Sequence, residues 1–400
     1  MFDQFWRTQF VRSWSSHRVH RLSVSTVFFM HPDLVAQTVF EAYKRLPGKG
    51  KPHIRSNGKP EWTVLAGIVV KIEDEDPVCV ALATGLKALP DAQLSKANGS
   101  VLHDMHAEIM SIRALNVYLL DECIKALDDK SSIVEHLPDD SAWARPFSIK
   151  DGVEFHLYVS EPPCGDASLA ALANAADEVW SSPVEHIGSA GVVRGRAHFF
   201  HSGLVRTKPG RRDSPMTLSK SCTDKLTLRQ TVSLLSGPVA KVLSPHNAYL
   251  SSLVLPSFYS EDDTTRAFQL RLESMPCTTS YGPYTPKLFK VVGTDEQFES
   301  AKRSDHMPCP NGIAYVLNRP PEAILGGVKM GAKPFTGKGT SMLSRRSIAH
   351  SVHELAASIR LDLPQSYSDL KYDSDRDCMK QELYRTLGGW ISTSPDDFSL

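Results

Sequence analysis

The stretch HAEIMSIRALNVYLLDECIKAL, residues 106–127, decides how this chain is read. Ile109, Ile112, Leu115 or Asn116, Leu119, Leu120, Ile124 and Leu127 recur at helical spacing, so the segment predicts a helix with one apolar face that opens on His106-Ala107-Glu108. Upstream, WTVLAGIVVK (62–71) and VCVALAT (78–84) are β-branched runs parted by an acidic turn with a proline, the pattern of a hairpin. Downstream, 155–160 reads as a strand that Pro162-Pro163 breaks, and an Ala-rich helix over 167–180 follows with Cys164 at its first turn. Residues 222–243 repeat that arrangement, Ser221-Cys222 leading into a third helix. Strand signals return at 249–255 and 312–317. Helices are expected at 33–45, behind an aspartate cap, at 345–361, and at 376–387, where Gly388-Gly389 ends the pattern.

Four hundred residues, 41% of them hydrophobic, suffice for a substantial core and exclude a disordered chain. Lysine plus arginine equals aspartate plus glutamate, 45 of each, so there is no global basic field and any nucleic-acid contact must be local. Three acid-free basic stretches, 43–59, 203–212 and 323–346, are candidates for such contact, against the plainer reading of solvated loops. Seven cysteines without a C-x-x-C pair argue against a disulfide framework and for a reducing compartment. No apolar run is long enough to span a membrane.

Residues 1–29 carry Arg7, Arg12, Arg18 and Arg21 with many serines and one acid, Asp3, a composition similar to an organellar transit peptide. Against that stands an unstructured extension or an early start, because Met30-His31-Pro32-Asp33 opens the first helix. Residues 1–29 are therefore expected to be an extension and 30–400 the domain. The expected location is cytoplasm or nucleus, with mitochondrial targeting by residues 1–29 as the alternative.

Hydrolytic deamination needs a water made nucleophilic and a group that moves its proton to the departing ammonia. Zinc held by three protein ligands with an open fourth position supplies the first, and a carboxylate beside the metal supplies the second. His106 and Glu108 provide a ligand and a base two residues apart at a helix start. Pro163-Cys164 after a strand adds a thiolate, and a helix N-terminus favours the thiolate form. Deaminases of nucleobases carry H-x-E and then P-C-x-x-C, yet Pro163-Cys164-Gly165-Asp166-Ala167 lacks the second cysteine. The third ligand must come from elsewhere, and Cys222, which opens a helix, is preferred to His103. Cys79, Cys123, Cys277, Cys309 and Cys378 read as small hydrophobes.

These segments resemble one family, the adenosine-to-inosine RNA deaminases, which comprise double-stranded RNA editing enzymes and tRNA-specific relatives. The matching pieces are VLHDMHAE (101–108), FHLYVS (155–160) leading to Pro163-Cys164-Gly165-Asp166, RTKPG (206–210), SCTDK (221–225) and the final DFSL (397–400). The likeness covers about 30–400 and implies an α/β fold, a cytidine-deaminase-like three-layer α/β/α core with a mixed sheet, elaborated by a helical C-terminal part. It implies zinc on His106, Cys164 and Cys222, Glu108 as proton carrier, and Asp104, Lys208 and Lys225 in a hydrogen-bond relay beneath the metal. RTKPGR (206–211) and the lack of room for double-stranded RNA-binding modules resemble the tRNA-specific branch, whose substrate is the adenosine 3′ of the anticodon of alanine tRNA.

The family also buries inositol hexakisphosphate, and Arg113, Ser219, Lys225, Tyr367, Lys371, Lys380, Trp390 and Asp396 fall at or beside its ligand positions. Buried cations need paired anions, which such a core would provide. The chain departs from the family at Ile112 for an arginine, His103 for an asparagine, Leu228-Arg229 for an Arg-Trp pair and Ser392-Thr393 for an acidic-basic pair. Thr84, Lys87, Arg206 and Arg211 match loops near the substrate. The expected partner is the tRNA anticodon loop, with no membrane and no obligate protein partner. The competing readings are a catalytically inactive RNA-binding or scaffold protein, which has no chemical reason to keep Glu108, and a zinc peptidase, which would need the absent H-E-x-x-H.

Overall fold

The expected hairpin is the middle of an eight-stranded mixed sheet in the computed structural model, which describes residues 30–138, 145–173, 192–196, 200–208, 214–276, 279–393 and 396–400. The readings made for residues 1–29 lie outside the described residues. In chain order the strands are β1 (Leu65–Ile72), β2 (Val78–Thr84), β3 (Val153–Val159), β4 (Leu250–Pro256), β5 (Lys290–Thr294), β6 (Gly312–Val316), β7 (Glu322–Leu325) and β8 (Val328–Lys329). They lie side by side as β5-β4-β3-β1-β2-β6-β7-β8. The run β3, β4, β5 is parallel and every other pair is antiparallel. Fully buried Phe155, Leu157, Tyr158 and Val159 on β3, and Leu253, Val254 and Leu255 on β4, are what parallel strands covered on both faces require.

The longer helices among the described residues are α1 (Pro32–Lys44), α2 (Ala107–Ala126), α3 (Cys222–Val232), α4 (Glu261–Phe268), α5 (Arg345–Ser358) and α6 (Ser374–Thr386). Strand alternation on β1 sends Ala66, Ile68 and Val70 into the core cluster that holds the α2 side chains. Gly67 points the opposite way, to α1: a Cβ there would meet both methyls of Val39 at 2.6 and 2.7 Å. One helix thus covers each face of the central strands.

Several expectations are revised. The α2 segment is not amphipathic: Glu108, Ser111, Asn116 and Glu122 are buried while Ile124 is exposed, because sheet, α3 and α5 enclose the helix on most sides. Cys164 does not sit in a first turn. It precedes one, the chain turning through Gly165 into a 3-10 turn (Asp166–Ser168) and a short helix (Leu169–Ala173), and the rest of the expected helix lies outside the described residues. The third helix stops at Val232, where Ser233 takes a positive φ of 64°, and only a 3-10 turn, Val239–Lys241, follows before 243. Helix α4 and strand β5 were not anticipated, although Ser260 caps α4 by accepting from the Asp263 amide at 3.2 Å, a Ser-x-x-Asp start visible in the sequence.

Val39 is β-branched and fully buried, so it cannot swing away from a new methyl group. Gly67→Ala should therefore destabilise the fold by about 1–3 kcal/mol, and adding Val39→Ala should recover part of that loss in a denaturant double-mutant cycle; independent, additive losses would contradict this packing.

Candidate metal centre and active site

Three separate chain segments bring their side chains to one point, and local chemistry explains each. His106 ends a short strand (Asp104–His106) that pairs antiparallel with Leu86–Ala88, Leu86 opposite His106, and α2 starts at the next residue. Gly85 makes this ribbon possible: a Cβ would lie 2.2 Å from the Met105 carbonyl oxygen. Cys164 follows β3, and Gly165, at φ 112°, lets its loop lie on the start of α3, where a Cβ would meet Ser221 Oγ at 2.3 Å. Thr223 clamps that loop: its amide donates to the Cys164 carbonyl at 3.1 Å, and its hydroxyl lies 3.0 Å from the carbonyls of Pro163 and Cys164. Cys222 is the first residue of α3, with Ser221 as its cap.

The ligand atoms of His106, Cys164 and Cys222 all lie within 4.8 Å of one another and form the one such group found among the described residues. His106 Nδ1 is 3.8 Å from Cys164 Sγ and 3.5 Å from Cys222 Sγ. A tetrahedral zinc with Zn–S of about 2.3 Å and Zn–N of about 2.0 Å would separate sulfur from nitrogen by about 3.5 Å, so the donor set and its spacing fit that ion and leave one position open. His103, the rival third ligand, turns elsewhere: its Nε2 is 2.8 Å from Asp396 Oδ2.

Charge is arranged around these atoms. Lys208, 2% exposed, donates from Nζ to both Asp104 oxygens at 2.9 and 2.7 Å and to Cys222 Sγ at 3.2 Å. Lys225 donates to the same carboxylate and, at 2.7 Å, to Ser219 Oγ, which itself donates to Asp104 at 3.2 Å. Burial opposes ionisation of Asp104, but Lys208 and then Lys225 overcome it and hold the carboxyl well below the usual range. Burial likewise disfavours the Lys208 ammonium, and Asp104 with Cys222 more than restores it. Contact with Cys222, helped by Lys208 and His106, brings the Cys164 thiol down, while burial and the Cys164 sulfur push the Cys222 thiol up. Glu108, in the first turn of α2, is 3% exposed, and burial raises its pKa.

Sequence reading missed a second tier. Each ligand cysteine is followed two residues on by a fully buried aspartate, Asp166 and Asp224. Asp166 accepts from Arg266 at 3.1 Å and from the Gly203 amide at 2.7 Å. Asp224 accepts from Ser221 Oγ at 2.6 Å, the Arg206 amide at 2.9 Å and Arg271 at 2.7 Å. The doubled Cys-x-Asp was the available signal; the arginine partners had none.

The residues proposed for substrate contact divide. Lys87 is exposed on the ribbon strand facing the one that ends in His106. Thr84 is buried, and its hydroxyl accepts from the Ile313 amide at 3.0 Å. Arg206 is corrected: it is 1% exposed, and its guanidinium donates to the carbonyls of His201 at 2.7 Å and Gly195 at 3.2 Å, which leaves it facing inward rather than toward a phosphate. Arg211 lies outside the described residues.

On the far side of Asp104, cations crowd together. Arg113 lies among Tyr367 and Arg345, and burial lowers its pKa to about 10. Burial, then Arg376 and Arg113, lowers Arg229 to about 9. The polar partners of Arg113, Arg229 and Arg376 are the carbonyls of Leu343, Ser233, Leu235 and Val232, and no carboxylate among the described residues is within ion-pair distance. Partial burial also lowers Lys371 and Lys380, although Lys371 stays exposed at the surface. Lys380 has Asp377 at 2.6 Å, and Trp390 stacks on Tyr384 with ring centroids 4.6 Å apart. Arg229 and Arg376 extend the set read from the sequence, and Asp396, a member of that set, lies beside His103 and Arg345.

Comparison with known proteins agrees with this arrangement. The adenosine-deaminase (editase) domain model matches residues 81–394. The chain is 34% identical to a tRNA-specific adenosine deaminase 1 of Schizosaccharomyces pombe, the match covering 92% of this chain and 96% of that protein. It is 31% identical to the protein of that name from Saccharomyces cerevisiae, over 91% and 93% of the two. It is 29% identical to a double-stranded RNA-specific adenosine deaminase of Mus musculus, over 84% of this chain and 30% of that longer protein. With a matched segment that runs through every residue of the cluster, the chain belongs to the adenosine-deaminase (editase) domain family.

Proposed function

We propose that this protein hydrolyses adenosine to inosine in tRNA, at the position 3′ of the anticodon in alanine tRNA. The observation that carries the reading is the convergence of His106 Nδ1 and the sulfurs of Cys164 and Cys222, with Glu108 two residues after His106 in the first turn of α2. The central sheet with α1 on one face and α2 on the other, and α5 and α6 beyond it, supports a cytidine-deaminase-like three-layer core with a helical C-terminal part.

His106, Cys164 and Cys222 would hold zinc, whose chemistry when bound is Lewis acidity that brings the ionisation of water close to neutral pH. Burial makes Glu108 a better proton carrier than a free glutamate: with its pKa raised, the carboxylate accepts the proton of the attacking water and, once protonated, gives it to the departing ammonia. One water is consumed and one ammonia leaves. Lys208 holds negative charge on Cys222 and fixes Asp104, whose Oδ1 accepts from the His106 amide at 3.1 Å. An unpaired anticodon-loop base costs only a few kcal/mol to extrude. Lys87, beside the ligand strand, and the acid-free stretches at 43–59 and 323–346 are the cations offered to its phosphates.

Arg113, Arg229 and Arg376, with Lys371, Lys380, Ser219, Lys225, Tyr367 and Trp390 beside them, fit a polyanion of the inositol hexakisphosphate kind, since three guanidinium groups with no carboxylate at ion-pair distance among the described residues need anionic charge. Protein denatured after extensive dialysis should release an inositol polyphosphate detectable by mass spectrometry, and Lys371→Ala should release less; a preparation free of any polyphosphate would remove this part of the reading.

Incubation with alanine tRNA transcript followed by nucleoside analysis should yield inosine. Glu108→Gln should keep zinc and lose about 10²- to 10⁴-fold in rate, whereas Cys222→Ala should lose the metal; full zinc content in the cysteine variant would return another ligand to contention.

Lys208→Met should cost about 3–5 kcal/mol, because it strips a buried carboxylate of one partner. Since Asp104 titrates below its unfolded value of about 3.9, its contribution to stability is complete above that pH and fades as the pH falls further. Acid titration of stability should therefore be shallower in Asp104→Asn; an unchanged acid limb would contradict the pairing.

A further inference from the structure

Five residues remote in sequence from the metal ligands grip the segment that delivers one of them. The chain enters the ligand strand through Asn98 and Gly99, both with positive φ, at 46° and 68°. Gly99 has no room for a side chain, because a Cβ would meet the Phe398 ring at 2.1 Å. Asp396 takes the Gly99 amide on Oδ1 at 2.9 Å, and its Oδ2 lies 2.8 Å from His103 Nε2 and 3.3 Å from Arg345. The first turn of α5 closes the other side: the Arg346 amide donates to the Gly99 carbonyl at 2.9 Å, and its guanidinium lies 4.4 Å from the Phe398 ring while donating to the Ser399 carbonyl.

Segment Asp396–Leu400 is itself held down. Phe398 stacks on Tyr367 with centroids 4.7 Å apart, Asp397 accepts from the Ser368 amide at 2.8 Å, and Leu400 donates to the Gln365 carbonyl at 2.9 Å. His103 is therefore fixed at its ring by Asp396 and at its carbonyl by the Leu89 amide, 2.8 Å away. Asp104 is the next residue and His106 the third. A shift of His103 along the strand moves both the relay carboxylate and the ligand imidazole, and displacements of about 1 Å are enough to cost a large factor in rate.

From this geometry we infer that Asp396–Leu400 is a strap whose Asp396–His103 contact positions Asp104 and His106 for the reaction. His103 is a positioning residue and touches neither metal nor substrate. The 2.8 Å approach is a close polar contact without hydrogen-bond alignment, and a glutamine can keep a polar N–H beside Asp396 where a leucine of similar size cannot. The inference rests on the proposed deaminase reading, so one readout is taken without substrate.

The full-length His103→Leu and His103→Gln variants are compared with the wild type in three ways: inosine formation in tRNA, zinc content with melting temperature, and the visible spectrum after cobalt(II) replaces zinc. His103→Leu should lower kcat about tenfold at unchanged KM, keep its metal, and shift the cobalt bands, while His103→Gln stays close to wild type in all three. An unaltered spectrum and kcat in His103→Leu would overturn the inference. So would equal impairment of the glutamine variant, or a loss of rate that merely follows lost metal or lost folded protein. A wild type that forms no inosine would sink the functional reading, and the cobalt spectra would still decide whether the strap positions the ligand.

Discussion

A lysine enclosed as fully as Lys208 stays charged only with an anion at hand, and Lys208 has the Asp104 carboxylate, while it also donates to the Cys222 sulfur. That three-way contact ties the ribbon strand that carries His106 to the helix that carries Cys222, and the Thr223 clamp then brings in the Cys164 loop. Two helix N-termini, those of α2 and α3, also aim at this point, so the surplus of positive potential favours thiolates and a carboxylate there. Remove the negative groups and the site would push itself apart.

The same logic recurs at each step away from the metal. Asp224 and Asp166, fully buried, are answered by Arg271 and Arg266, and these pairs hold the two cysteine segments against α4 and the chain that follows it. Beyond Lys225 the balance inverts, and guanidinium and ammonium groups outnumber the acids beside them. A chain with no net charge has therefore sorted its charges, with Asp104, Ser219 and Lys225 linking the metal-ligand cluster to the group of cations beyond it.

What could be read from the sequence was what chemistry writes locally. His106 and Glu108 stand at a spacing the reaction needs, Pro163-Cys164 follows a strand, and long apolar runs marked β1 to β4 and α2. Cys222 was preferred to His103 because it opens a helix, and the family likeness pointed to the same residue. Ion pairs between residues 47 and 100 positions apart, such as Asp224–Arg271 and Asp166–Arg266, leave no pattern along the chain. Ser233 ends α3 with a positive φ and without the glycine or asparagine that would announce it, and Arg206 looked like a phosphate ligand because its burial rests on backbone carbonyls, those of Gly195 and His201, which leave no mark in the residue types. Asp396 was assigned to the polyanion by its position in the family pattern, and its contact with His103, a residue that departs from that pattern, had no signal in the sequence.

The central claim is a single zinc ion bound by one imidazole and two thiolates with one position left to solvent. X-ray absorption at the zinc edge of the purified protein tests it most directly. One equivalent of zinc with a shell of two sulfurs and two nitrogen or oxygen atoms is predicted; absence of zinc, or a shell with no sulfur or with four, would contradict the account.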